Sequence, residues 1–201
     1  MVFGIILGTV AAAVGVVKNL AIVGLAVQGL KKIGNILTNL GKALGLIKPE
    51  TKIDELGDKA LQSEYKPEDY DSYAEYVKAV EKFDLDAEKS NQISEEDKIK
   101  KGMELSTGVI IEEFDGFPIQ DFCVTLGKNP EYFTSEKMGE IAKLIKEDGK
   151  YISNILNYVN GTEKDELKLQ KTIDALTSID KHINPSISDK DALKNVLQIR
   201  K

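Results

Sequence analysis

The sequence predicts an all-α protein in which a multi-helix acidic domain is preceded by a Gly-rich hydrophobic and amphipathic helical segment. Three observations carry this. No stretch alternates apolar and polar residues with period two. Apolar residues instead recur at three- and four-residue spacings through most of the chain. Capping residues and glycines punctuate these runs, as do all five prolines, which fall at or after Pro49.

Residues 1–48 stand apart by charge. They hold five lysines and no acid, and Glu50 is the first carboxylate. From Met1 to Val17 no side chain is charged, and Gly4, Gly8 and Gly15 interrupt a run of Val, Ile, Leu and Ala. After Lys18-Asn19 a second apolar stretch runs from Leu20 to Leu30. Each stretch is shorter than the about 20 residues of a membrane span, and joining them would place Lys18 near the bilayer centre. No Lys or Arg precedes the first apolar run, so a cleavable secretory signal is not expected. Gly4/Gly8 and Ala11/Gly15 have the four-residue spacing of small residues that lets helix backbones approach closely.

The next helix is amphipathic. Leu30, Ile33, Leu37, Leu40, Leu44 and Ile47 form a narrow apolar seam. Lys31, Lys32 and Lys42, with Lys18 upstream, form a cationic face. Gly34, Gly41 and Gly45 cost up to about 1 kcal/mol each against alanine, so this helix needs a surface to form on. In composition residues 1–48 resemble viral fusion peptides and glycine-rich pore-forming peptides. That resemblance implies insertion or packing through the segment. Lipid contact and burial in a multi-subunit assembly both fit, as does an ordinary core hairpin, although eight of the sixteen glycines in these 48 residues argue against a core role.

Residues 49–71 read as a linker with one short helix around 54–62, and 72–201 as the acidic α-helical domain. Ser72 opens a capping box with Glu75, ahead of an apolar stripe of Tyr73, Tyr76, Val77, Val80 and Phe83. Ser94 with Asp97 opens a helix buried through Ile99, Met103, Ile110 and Phe114, which Asp115-Gly116 stops. Pro118 fits the first position of a helix ending at Gly127. Thr134 or Ser135 caps a helix with Met138, Ile141, Ala142 and Ile145. Another follows with Ile152, Ile155, Leu156 and Val159, ended by Gly161. Thr162 with Asp165 begins a longer one carrying Leu169, Ile173, Leu176 and Ile183. Ser188 with Asp191 begins the last, with Leu193, Val196 and Leu197 inward.

The chemistry is sparse. Arg200 is the only arginine, and residues 49–201 carry 22 bases against 33 acids, a formal charge of −11, so nucleic-acid binding is not expected. Cys123 lies in an apolar run and reads as a buried hydrophobe, and His182 reads as a helix C-terminal cation. No phosphate loop, nucleophile elbow or HExxH is present, and neither catalysis, a metal nor a cofactor is expected. Asp84, Asp86, Glu88, Ser90, Gln92 and Glu95 resemble an EF-hand calcium loop in spacing, but Lys89 replaces the glycine of the turn and Asn91 the aliphatic residue, so a solvated inter-helix loop is expected.

Two functions fit. One is a non-catalytic membrane-active or membrane-associated protein, with lipid or other subunits meeting residues 1–48 and a protein partner meeting the acidic body. The other is a structural component of a large assembly, such as a phage virion or envelope-puncturing particle, with the N-terminus packed in a ring or channel. Either predicts a homo-oligomer or a multi-subunit complex. An acidic adaptor for a basic partner rests on charge alone.

Overall fold

The computed structural model describes residues 2–22, 27–114 and 116–200, of which 2–7 and 21–22 as backbone only. It is all-α: eleven helices and one 3-10 turn, with no strand among the described residues. The chain divides into two compact units, residues 1–119 and 120–201. The boundary of packing therefore lies at the start of α7, rather than at Pro49.

The N-terminal unit contains α1 (Val2–Ile22), α2 (Val27–Leu44), α3 (Ile53–Gln62), the 3-10 turn Pro67–Asp69, α4 (Tyr73–Glu81), α5 (Ala87–Gln92) and α6 (Glu95–Glu113). Its axis is α6, which packs against α1, α2, α3 and α4. From Gly102 to Ile110 every residue of α6 except Glu104 is buried, so this helix is enclosed on all sides. The most extensive contact is with α3, which lies inside the stretch read as a linker.

Glycines make that crossing. A Cβ on Gly57 would stand 1.8 Å from the Lys98 carbonyl oxygen, and one on Gly102 would stand 2.0 Å from the Ile53 carbonyl oxygen. The two backbones touch where side chains would hold helices about 8–10 Å apart. Gly34 and Gly41 of α2 are internal for the same reason: Gly34 receives Ile53 and Met103, and Gly41 receives Ile47. For these two, tight packing supplies the core role that propensity alone argues against. Gly45, with φ of 80°, then ends α2 in the left-handed region that favours glycine.

Helix starts follow the capping signals. Ser72, Ser94, Thr134 and Ser188 each accept from the backbone N–H three residues on. At α4 the Glu112 carboxylate of α6 adds bonds from the N–H groups of Tyr73 and Ala74, at 2.6 and 2.8 Å. The predicted inter-helix loop contains α5, because Asp86 accepts from the N–H groups of Glu88 and Lys89.

The C-terminal unit holds α7 (Ile119–Lys128), α8 (Ser135–Glu147), α9 (Tyr151–Val159), α10 (Glu166–Ile183) and α11 (Asp189–Gln198). Helix α10 contacts α8, α9 and α11 over a core that includes Met138, Ile141, Ile155, Leu176 and Val196. Pro118 immediately precedes α7, and Asp165, in place of Thr162, caps α10 through the N–H groups of Leu167 and Lys168. On α11 the inward residues are Ala192 and Val196, while Leu193 and Leu197 are exposed. Asp115, part of the expected stop after α6, lies outside the described residues.

The glycine crossing makes opposite signs of mutational effect at different helical glycines. Gly57→Ala or Gly102→Ala should lower stability by about 2–4 kcal/mol, since the overpacking against backbone exceeds the gain of about 1 kcal/mol in helix propensity. Gly139→Ala in α8, where an added Cβ meets nothing within 4 Å, should leave stability unchanged or raise it by up to about 1 kcal/mol. Urea unfolding midpoints of the three variants check both signs.

Candidate functional site

The apolar seam predicted on α2 is interior. Leu30, Ile33, Leu37, Leu40 and Ile47 are buried and Leu44 is half-buried. The surface that α2 requires is supplied within the unit by α6 and α3. A hydroxyl pair, Thr38 with Ser106 at 2.9 Å, joins α2 to α6 inside this contact. The seam is thus occupied by the chain's own helices.

Helix α1 differs. Thr9, Ala13, Val16, Val17 and Leu20 form one buried face at helical spacing, and α1 packs on α6 and on the 3-10 turn. The remaining circumference, among residues 8–20, presents the exposed Gly8, Ala11, Ala12, Lys18 and Asn19 and the half-buried Val10, Val14 and Gly15. Gly4 lies in α1 where the backbone alone is described. Among the described residues no helix is long and apolar enough to cross a membrane.

The cationic face is dispersed. Lys18 and Lys32 are exposed on separate helices. Lys31 bridges Asp54 at 3.3 Å and Glu95 at 2.7 Å, tying α2 to α3 and α6, and hydrogen bonds to Glu95 and then Asp54 raise its pKa. Lys42 instead lines a cleft with Lys48, Lys78 and Lys82. Residues far apart in sequence converge there, with only the i,i+4 pair Lys78/Lys82 visible as a local signal.

The residues of the calcium-like spacing go to other work. Asp86 is spent as a cap, and Ser90 donates to the buried Asp58, which also meets Lys98 at 2.8 Å and Gln62 at 2.8 Å. Lys98 in turn donates to Ser90 at 2.8 Å. This network closes the floor of an open cleft of about 520 Å³ between α3, α5 and the start of α6, with Asp54 and Glu95 at its rim. No group of three or more His, Cys, Asp or Glu among the described residues is placed to hold a metal.

The C-terminal unit has one buried ion pair. Lys137 of α8 meets Asp180 of α10 at 2.6 Å and lies 3.5 Å from the centre of the Tyr132 ring. Asn195 of α11 donates to the other Asp180 oxygen at 3.3 Å, so one carboxylate joins three helices. Burial, then the charge of Asp180, raises the Tyr132 hydroxyl well above its usual range. Cys123 is fully buried and its thiol is pushed up to about 12, which keeps it in the unreactive protonated form. His182 is exposed at the end of α10, 3.8 Å from Glu140. These groups staple helices together. None is a nucleophile paired with a base.

Asp58 gives the N-terminal unit an acid sensitivity of defined sign. Burial pushes its carboxyl up, but the bonds from Lys98, Ser90 and Gln62 outweigh this and hold it below 3.8. A carboxyl depressed in the folded state stabilises above its unfolded pKa, and that contribution is lost as pH falls below about 4. Asp58→Asn, which leaves Lys98 without its counter-charge, should cost about 2–4 kcal/mol at pH 7. The difference from wild type should shrink near pH 3, and denaturant unfolding at the two pH values checks it.

Comparison of the chain with protein-family models, with curated proteins and with solved structures finds no match.

Proposed function

We propose that this chain is a non-catalytic component of a multi-subunit assembly that it enters through the outward face of α1. The carrying observation is the pair Gly8 and Gly15. A Cβ built at either meets no atom within 4 Å, so the N-terminal unit makes no use of its absence. Each glycine costs about 0.5–1 kcal/mol against alanine inside a helix. In the same unit the missing Cβ of Gly34, Gly57, Gly102 and Gly108 is accounted for by an internal neighbour at 1.8–2.2 Å. A face of Gly8, Ala11, Ala12 and Gly15 suits a second helix approaching backbone to backbone. The acidic remainder of the chain then serves a protein partner of opposite charge.

Lipid insertion of α1 is the second reading, favoured by the uncharged run from Met1 to Val17. The exposed Gly8, Ala11 and Ala12 of the described face offer little apolar area for that purpose. At about 25 cal/mol per Å² an alanine methyl contributes well under the 1.5–3 kcal/mol of a buried Leu or Val.

The double variant Gly8→Leu/Gly15→Leu separates these readings. Light scattering of the full chain without lipid should show an oligomer that the variant converts to monomer. Bulky leucines should instead preserve or strengthen co-flotation with anionic liposomes if lipid is the partner. A wild-type protein that is monomeric at all concentrations and ignores liposomes would defeat both readings.

A further inference from the structure

The cleft where α2 and α4 end carries more positive charge than the fold offsets. It encloses about 380 Å³, within the range of small-ligand sites, and four lysines line it: Lys42, Lys48, Lys78 and Lys82. Leu46 and Pro49 supply apolar wall beside them. Among the described residues none of the four has a carboxylate within ion-pair distance. Lys31, Lys59, Lys98, Lys100 and Lys101 of the same unit are paired, and what sets the four apart from other unpaired lysines such as Lys66 and Lys89 is that they line one cleft.

The ordinary explanation for lysines here is the helix dipole, since two helix C-termini meet at this point. Each terminus is equivalent to about half a negative charge. The single carboxylate of the lining, Glu81, is 7 % exposed; one of its oxygens is held by the neighbouring loop and the other, Oε2, is buried without a hydrogen-bond partner. Its Oε1 accepts from the Lys48 N–H at 2.9 Å and from the Thr51 hydroxyl at 2.7 Å, which fixes the loop carrying Lys48 and Pro49. Lys59 already donates to the Glu81 carbonyl at 3.0 Å, and Glu55 neutralises Lys59 at 2.9 Å. Four lysines against one carboxylate and two helix ends leave a surplus of about two positive charges.

We infer that this cleft binds a phosphate group, as a dianion held by the Lys42, Lys48, Lys78 and Lys82 ammonium groups. Lysines act on phosphate as mobile point charges and do not need the planar geometry that arginine brings. Glu81 is a positioning residue, which sets the Lys48 loop without touching the ligand. The phosphate arrives either free or as the headgroup of an acidic phospholipid lying against the Leu46–Pro49 wall. The site is independent of the outward face of α1.

The test uses the isotopically labelled full-length protein and two probes, inorganic phosphate and vesicles of phosphatidylcholine with or without phosphatidic acid. Saturable amide shifts at Gly45 and Leu46 on adding phosphate identify a free anion. Capture by phosphatidic acid vesicles without such shifts identifies the headgroup. In either case Lys78→Glu/Lys82→Glu, two exposed positions, should weaken binding by about tenfold or more. Lys66→Glu/Lys89→Glu changes the net charge equally at exposed sites outside the cleft and should retain it. Equal loss in both variants, or no binding of either probe by the wild type, overturns the assignment.

Discussion

Backbone contact between α3 and α6 at Gly57 and Gly102 is the constraint around which the N-terminal unit is arranged. Once these helices touch, Ile53 is driven toward α2, where Gly34 leaves room for it and for Met103. Further along α6, Gly108 leaves room for the Tyr73 ring, and Glu112, one turn later, caps the helix that Tyr73 begins. Three neighbours of α6 are therefore placed by absent side chains, and a polar contact follows each approach. A larger residue at any of these points would separate the pair and strand the polar group beyond it.

The same geometry explains why a buried carboxylate is tolerated. Asp58 follows Gly57, so the closest point of the crossing delivers it directly to Lys98, with Ser90 and Gln62 completing its bonds. An ion pair at this depth adds little net stability compared with a well-packed apolar pair, yet breaking it is costly. It also opposes sliding of α3 along α6, because a shift of one turn would bury Asp58 without a partner. In the C-terminal unit Asp180 has a comparable position among Lys137, Asn195 and the Tyr132 ring. Asp58 and Asp180 are thus each a buried acid joined to groups from separate helices.

Helix class and most boundaries were legible because caps and periodicity are local. Ser72, Ser94, Thr134 and Ser188 cap the helices that their spacing announces. The centrality of α6 was not legible. Ser106, Thr107 and Gly108 are all buried although none is a large apolar residue, because their environment is set by Thr38, Tyr73 and other residues distant in sequence. The division by charge and the division by packing fall at different places for a related reason. Charge changes sharply at Pro49, but packing is indifferent to a surface charge boundary, and α3 on its acidic side is the main neighbour of α6. Leu193 and Leu197 show the limit of periodicity on a short helix, where small Ala192 and Val196 take the inner face.

An amphipathic stripe states that a helix needs a partner and leaves open who supplies it. On α2 the chain itself supplies it, so the stripe from Leu30 to Leu40 contains no information about lipid or other subunits. What remains informative is what the fold leaves unused. Internal glycines are explained by the atoms that occupy their missing Cβ, and paired lysines by their carboxylates. Gly8 and Gly15 on α1 have no such internal neighbour, and the four lysines at the ends of α2 and α4 exceed what Glu81 and two helix ends offset. Glycine in a helix and clustered like charge each carry a free-energy cost, and it is on this cost that the proposals of a helix partner for α1 and of an anion in the cleft rest.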